Sequence, residues 1–219
     1  MTDAPHSSLS RILSADAVVD MQDRLTELWH ERAIELEPEG EPEDAVPKSP
    51  FMDSVRDLHQ ANFELWHIED QARVPQAPDR QIADLKRAID LTNQQRNDLM
   101  ERCDSVLLAE LEEAGLPSPK AELHSESPGL MLDRLSILAL KIFHTREEIE
   151  RVNAPEGHAE RNRVRLAVLE SQRDDLAGCL QRLWEQVIAG ERRFKLYRQL
   201  KMYNDASLNP AVYSDSGKT

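Results

Sequence analysis

Two segments of the form Gln-Arg-x-Asp-Leu, Gln95 to Leu99 and Gln172 to Leu176, stand 77 residues apart, and the same offset relates His67 to His144. It also superimposes Leu58 on Leu135 and Ala77-Pro78 on Ala154-Pro155, so eight identities fall in register without a gap between 55–111 and 132–188. Self-similarity of this kind constrains the fold more than any local motif, because each copy must be a unit that completes its core against the other. Seven Gly, twelve Pro and 5% aromatic residues in a chain that is 31% charged indicate helices joined by proline-marked loops rather than a sheet. The expected fold is therefore all-α: an antiparallel helical bundle built from two pseudo-twofold-related long hairpins, preceded by one N-terminal helix.

Punctuation places the elements. After a flexible N-terminus, 1–14, a first helix is expected from about Ala15 to Leu36, with Ser14 as its cap and Val18, Leu25, Leu28 and Trp29 on its apolar side. An acidic, proline-rich loop, 37–50, follows; six acids between Glu35 and Asp44 meet no base there. The first hairpin spans 51–115, with helices at about Phe51 to Arg73 and Asp79 to Ala114, ended by Gly115, Pro117 and Pro119. The second spans 127–203. Its first helix starts at Pro128 behind Ser127 and reaches about Val152, and its second runs from about Glu156 through Gly190 to about Tyr203. A single domain, 15–210, and a flexible tail, 211–219, complete the chain.

At about 100° per residue, Ile82, Leu85, Ile89, Met100, Cys103, Leu107 and Leu111 share one stripe, and Arg96 lies along its centre. Arg173 sits likewise among Leu166, Leu169, Leu176, Leu180 and Trp184. A guanidinium keeps its proton on burial, so each arginine needs an acceptor. Asp70, Glu69 and Glu147 are the expected partners. Arg96, Arg173 and Asp70 thus form an expected buried charge network, while Asp98 points away from the stripe to solvent.

The first helix of each hairpin carries polar groups where simple packing would use Leu or Ala. His59, Asn62, His67, Glu69 and Asp70 crowd among Phe63 and Trp66, and Asp133, Arg134, Lys141, His144, Glu147 and Glu148 are the second copy's counterparts. A cleft between the hairpins could use His67 or His144 as acid or base beside Glu69, Asp70 or Glu147. Glu64 and His67 have the Glu-x-x-His spacing that puts two metal ligands on one helix face, but Lys141 replaces the glutamate in the second copy. One zinc on His67 or His144 with a nearby Glu is the other metal reading, and a histidine satisfied within the core is the expectation that outweighs it. Carboxylates at i and i+3, Asp98 with Glu101 and Glu101 with Asp104, have magnesium-binding spacing, but Asp98 points away from the apolar stripe and a solvated face explains them better.

Anions have two candidate positions. Ser127 and Gly129, with Ser125, surround a helix start, where free N–H groups favour phosphate, and Arg134 lies little more than a turn on. From Gln186 to Asn204 the segment is locally +4, with Arg198, Lys201 and Tyr203 as candidate ligand contacts. The chain as a whole is −14, which argues against duplex nucleic acid, where Lys and Arg supply most of the affinity. No apolar run approaches a membrane span, no secretory leader precedes Ser14, and two cysteines make no disulfide framework, so a reducing cytoplasm is expected. No Gly-x-Ser-x-Gly, phosphate-loop or dinucleotide fingerprint is present, and no catalytic residue follows from a motif.

The runs Leu58-His59, Asn62-Phe63, Leu65-Trp66-His67, Glu69-Asp70, Asn93 to Asp98, Ser127-Pro128-Gly129, Asp133 to Leu138 and Tyr197 to Asp205 resemble a bacterial family, domain of unknown function four-two-five-four, over about Val18 to Pro210. Ala206 departs from the proline expected after Asn204-Asp205. Genes of that family tend to accompany glycosyltransferases of envelope polysaccharide assembly. The polar seam and the basic, aromatic C-terminal segment lead to the expectation of an accessory binding protein whose partner is a phosphorylated small molecule or a glycosyltransferase-type protein; the resemblance adds the glycosyltransferase setting and carries over no catalytic residue. A metal-assisted hydrolase or transferase, with magnesium or zinc, is the alternative; a homodimer of exposed apolar stripes is the structural one.

Overall fold

The computed structural model describes residues 9–35, 49–200, 207, 208 and 210, and side chains throughout these except 32–35. Five helices dominate: α1 (Ala15–Glu35), α2 (Pro50–Ala72), α3 (Asp79–Glu112), α4 (Pro128–Glu150) and α5 (His158–Ile188). Two short strands, β1 (Glu122–Leu123) and β2 (Arg192–Arg193), pair in parallel, Glu122 opposite Arg192. Strand was not expected from the sequence. Among the described residues no helix is long and apolar enough to cross a membrane.

Local chemistry explains the boundaries. The Ser14 hydroxyl accepts from Ala17 N–H at 3.3 Å and that of Ser49 from Met52 N–H at 3.1 Å, with Pro50 in the first turn of α2. α3 ends where Gly115 takes φ 67° and Leu116 N–H reaches back to the Leu111 carbonyl. The same device corrects the expected length of the last helix. Gly190 takes φ 74° and Glu191 N–H bonds the Gln186 carbonyl at 2.9 Å, so α5 stops at Ile188 instead of running to Tyr203. Glycine's tolerance of the left-handed region turned a pattern that reads as continuous helix into a stop.

α2 packs along α3 and α4 along α5, and α4 touches all four other helices. Its sequence explains that position, since Met131, Leu132, Leu135, Ala139, Leu140 and Ile142 bury nearly every side of it. The core it organises includes Trp184, Phe51, Phe194, Leu25, Leu58 and Leu107, each at most 2% exposed. Ile82, Leu85 and Ile89 are only partly buried; burial on α3 becomes regular from Thr92 onward.

At its start α4 crosses α3 with backbones almost touching. A Cβ on Gly129 would lie 2.3 Å from the Met100 carbonyl oxygen, so no larger residue fits that crossing. Ser127 does not cap α4 with its own side chain. Asp104, 3% exposed, does so from α3, accepting from Gly129 N–H at 2.7 Å and from the Ser127 hydroxyl.

Candidate metal centre

His30 of α1, His67 of α2 and His144 of α4 converge, one ring nitrogen of each lying within 4.8 Å of those of the other two. Helix geometry determines which nitrogen is free. His30 Nδ1 lies 2.7 Å from the Thr26 carbonyl oxygen and His67 Nδ1 2.8 Å from that of Phe63, each four residues back on its own helix. A carbonyl only accepts, so both Nδ1 atoms carry the proton. His144 Nδ1 is 2.7 Å from a Glu147 carboxylate oxygen and donates in the same way. Each ring thereby commits its Nδ1–H, which leaves Nε2 as the nitrogen that would offer a lone pair in the neutral form. His30 Nε2 and His144 Nε2 are buried and have no hydrogen-bond partner among the described residues.

Aromatic packing fixes the planes. Phe143 stacks on His30 at 4.1 Å between centroids, Trp66 stacks on His144 at 4.9 Å and 9°, and Phe63 leans on both His30 and His67. Burial and the neighbouring His144 and His67 hold His30 below the ordinary histidine pKa, opposed by its bond to Thr26. Neutral imidazoles with oriented lone pairs are what a borderline transition metal takes, and the acceptors behind them are the usual supports of metal-bound histidine. A tetrahedral zinc with bonds of about 2.0 to 2.1 Å needs nitrogens roughly 3.4 Å apart, so an ion would draw the three rings closer together.

Most other candidate residues lie elsewhere. Glu64 is exposed, accepts from Gln60 at 2.9 Å and does not join the cluster, in which His67 instead meets His30 and His144. Glu69 and Asp70 bind Arg73 on the surface at 2.7 and 3.4 Å, and the expected Arg96 to Asp70 contact is absent from that pairing. Arg96 instead grips Asp133, Nε to Oδ1 at 2.7 Å and Nη2 to Oδ2 at 2.5 Å, with Asn62 donating to the same carboxylate at 2.9 Å. Asp133 was reachable from the α3–α4 crossing, which is a tertiary fact. Arg173 pairs with Asp23 of α1 at 2.8 Å.

The expected phosphate seat at α4 is taken by the protein's own anion, since Asp104 fills the place beside Ser127 and Gly129. Asp98 is exposed on Gln94, Glu101 accepts from Gln199 N–H and Asp104 is buried, so these three share no metal face. Arg134 pairs with Glu126 at 2.8 Å. Of the basic segment, Arg192 pairs with Glu122, Arg193 donates to the Ala121 carbonyl, and Arg198 is exposed. Lys201 and Tyr203, like most of the acidic loop, lie outside the described residues.

His30 escaped the sequence reading. Its signal was the run Gln22, Thr26, His30, polar residues at successive i+4 places along an otherwise apolar face.

The profile of the family described as "Protein of unknown function (DUF4254)" matches residues 52–196. The chain belongs to this family. No curated protein and no solved structure matches the chain. The matched span holds His67, His144 and Glu147, whereas His30 and the whole of α1 precede it.

Proposed function

We propose that this protein binds one transition-metal ion through His30, His67 and His144 and uses a further coordination position for water, as in metal-assisted hydrolysis or group transfer. A single observation carries the reading: three rings from three helices bring ring nitrogens within 4.8 Å of one another while their Nδ1–H groups are engaged, and the Nε2 atoms of His30 and His144 are buried with no hydrogen-bond partner among the described residues. An all-imidazole set favours zinc, cobalt, nickel or copper over magnesium, which prefers oxygen. Three neutral ligands leave the ion's double charge undiminished, and such a charge brings bound water to a pKa of about 7. The resulting hydroxide is a nucleophile at neutral pH.

Protein purified without an affinity tag, incubated with zinc and desalted, is expected to retain about one equivalent. His30→Ala and His67→Ala are expected to lose it while keeping a wild-type circular dichroism spectrum. Retention by His67→Ala, or no metal in the wild type, defeats the proposal.

The finer architecture, two hairpins related by a pseudo-twofold axis, is supported by contacts between equivalent positions. His59 meets Ser136 across 77 residues, and His67 meets His144 across the same interval. Free thiols at Cys103 and Cys179 suit a reducing cytoplasm. An accessory role beside envelope-glycan glycosyltransferases is a setting in which such a centre could act. The structural alternative, a helical dimer, rests on Val164 and Val168, 62% and 52% exposed one turn apart on α5, and sedimentation separates it from the metal reading.

A further inference from the structure

Beside the histidine cluster, α2, α4 and α5 enclose a second feature, a cleft of about 350 Å³. His144 belongs to both, since its ring forms part of the cleft wall under Trp66. Lys141 and Arg165 supply two cations to the same wall, and neither makes an ion pair among the described residues. The wall's acid, Glu148, is already satisfied twice, by His158 at 2.7 Å and Arg151 at 3.0 Å, and these two partners hold its carboxyl below the usual range. Asn162, 3% exposed, orients Arg165 by accepting from its Nη1 at 2.9 Å. With the Glu148 carboxylate engaged by His158 and Arg151, Lys141 and Arg165 leave the charged part of this mainly apolar wall net positive, which favours an anion.

Resting on the metal reading above, we propose that this cleft seats the oxyanion group of the centre's substrate, a phosphate or carboxylate held by Lys141 and Arg165 against His144. The arrangement gives a purpose to the repeat's asymmetry. Lys141 occupies the place of Glu64, so the second copy offers the ligand an ammonium where the first has a carboxylate.

Cobalt-loaded protein makes the cleft visible, because the visible bands of cobalt respond to changes at its ligands. Titration with inorganic phosphate and, separately, with acetate is expected to shift those bands saturably. Lys141→Gln is expected to weaken the response at least tenfold, and Arg165→Gln to do the same, with cobalt uptake unchanged in both. Lys141 and Arg165 are exposed, so both variants fold. A response to phosphate alone or to acetate alone supports the proposal and identifies the group. If cobalt binds but neither anion moves the bands, or the variants respond like the wild type, the cleft assignment is overturned and the metal centre stands. If cobalt does not bind, both fall together.

Discussion

Ser136 donates its hydroxyl proton to His59 Nδ1 at 2.8 Å, in a core where the ring is fully buried. Thr26 commits its own proton to the Gln22 carbonyl at 2.8 Å, so His59 Nε2–H must donate to Thr26 at 3.0 Å. This neutral ring has no room for a second proton, and burial drives its pKa from 6.5 down to about 3. The unfolded chain therefore binds the proton more tightly, and stability from this group is complete above 6.5 and lost as pH falls toward 3. The slope approaches about 1.4 kcal/mol per pH unit within that window. Urea midpoints from pH 4 to 7 should show it, and His59→Gln should remove that component of the slope.

Asp104 works in the opposite sense. Burial raises its pKa from 3.8 to about 6, even though Ser127 and Gly129 donate to it. The folded protein holds this proton more tightly, so stability from the group is present at low pH and diminishes as pH rises from 3.8 through 6. Asp104→Asn keeps an acceptor for Gly129 without the charge. Relative to wild type it should gain stability steadily across that window, by up to about 1.4 kcal/mol per unit, and hold a constant advantage above it. Paired denaturation curves at pH 4, 5, 6 and 7 measure the difference.

The two cysteines should separate cleanly in a thiol titration. Cys103 is fully buried and its thiol is pushed up to about 12 by that burial, whereas Cys179 is exposed on α5. Native protein should yield one reactive thiol with a disulfide reagent and two in denaturant, and Cys179→Ser should yield none until it unfolds.

Arg96 and Arg173 occupy equivalent places but should differ in cost. Arg96 is bidentate on Asp133, whose side chain is 5% exposed, so Arg96→Ala leaves a buried carboxylate without a counter-charge, held only by Asn62, and should cost roughly 3 to 4 kcal/mol. Arg173 makes one hydrogen bond to Asp23, which is 29% exposed and can recover water, so Arg173→Ala should cost about 1 to 2 kcal/mol. Chemical denaturation ranks them; equal costs would contradict the difference in burial.

Helix ends marked by proline, serine or glycine were legible because capping is local chemistry. Pro128 opens α4 and Gly115 follows the end of α3, as their types predict. Gly190 shows the limit, since glycine is compatible with both continuation and a stop until the pairing of β1 with β2 draws the chain away. The inward course of Arg96 could be read from periodicity, but not its acid, because Asp133 becomes a neighbour only when α4 crosses α3. The repeat likewise pointed to His67 and His144. It had nothing to say about His30, which stands in an unrepeated helix and joins them only through packing.

That the three imidazoles come from three separate helices has a thermodynamic consequence. Before α1 docks on α2 and α4 only two of the imidazoles face each other, so the ion proposed above, taking all three, would favour the docked state. Under that proposal metal concentration would set how firmly α1 is held, by about 2.7 kcal/mol at a hundredfold excess over the dissociation constant. Chelation should loosen α1 selectively, so its amides should exchange with deuterium sooner while those around Trp184 and Leu107 keep their protection.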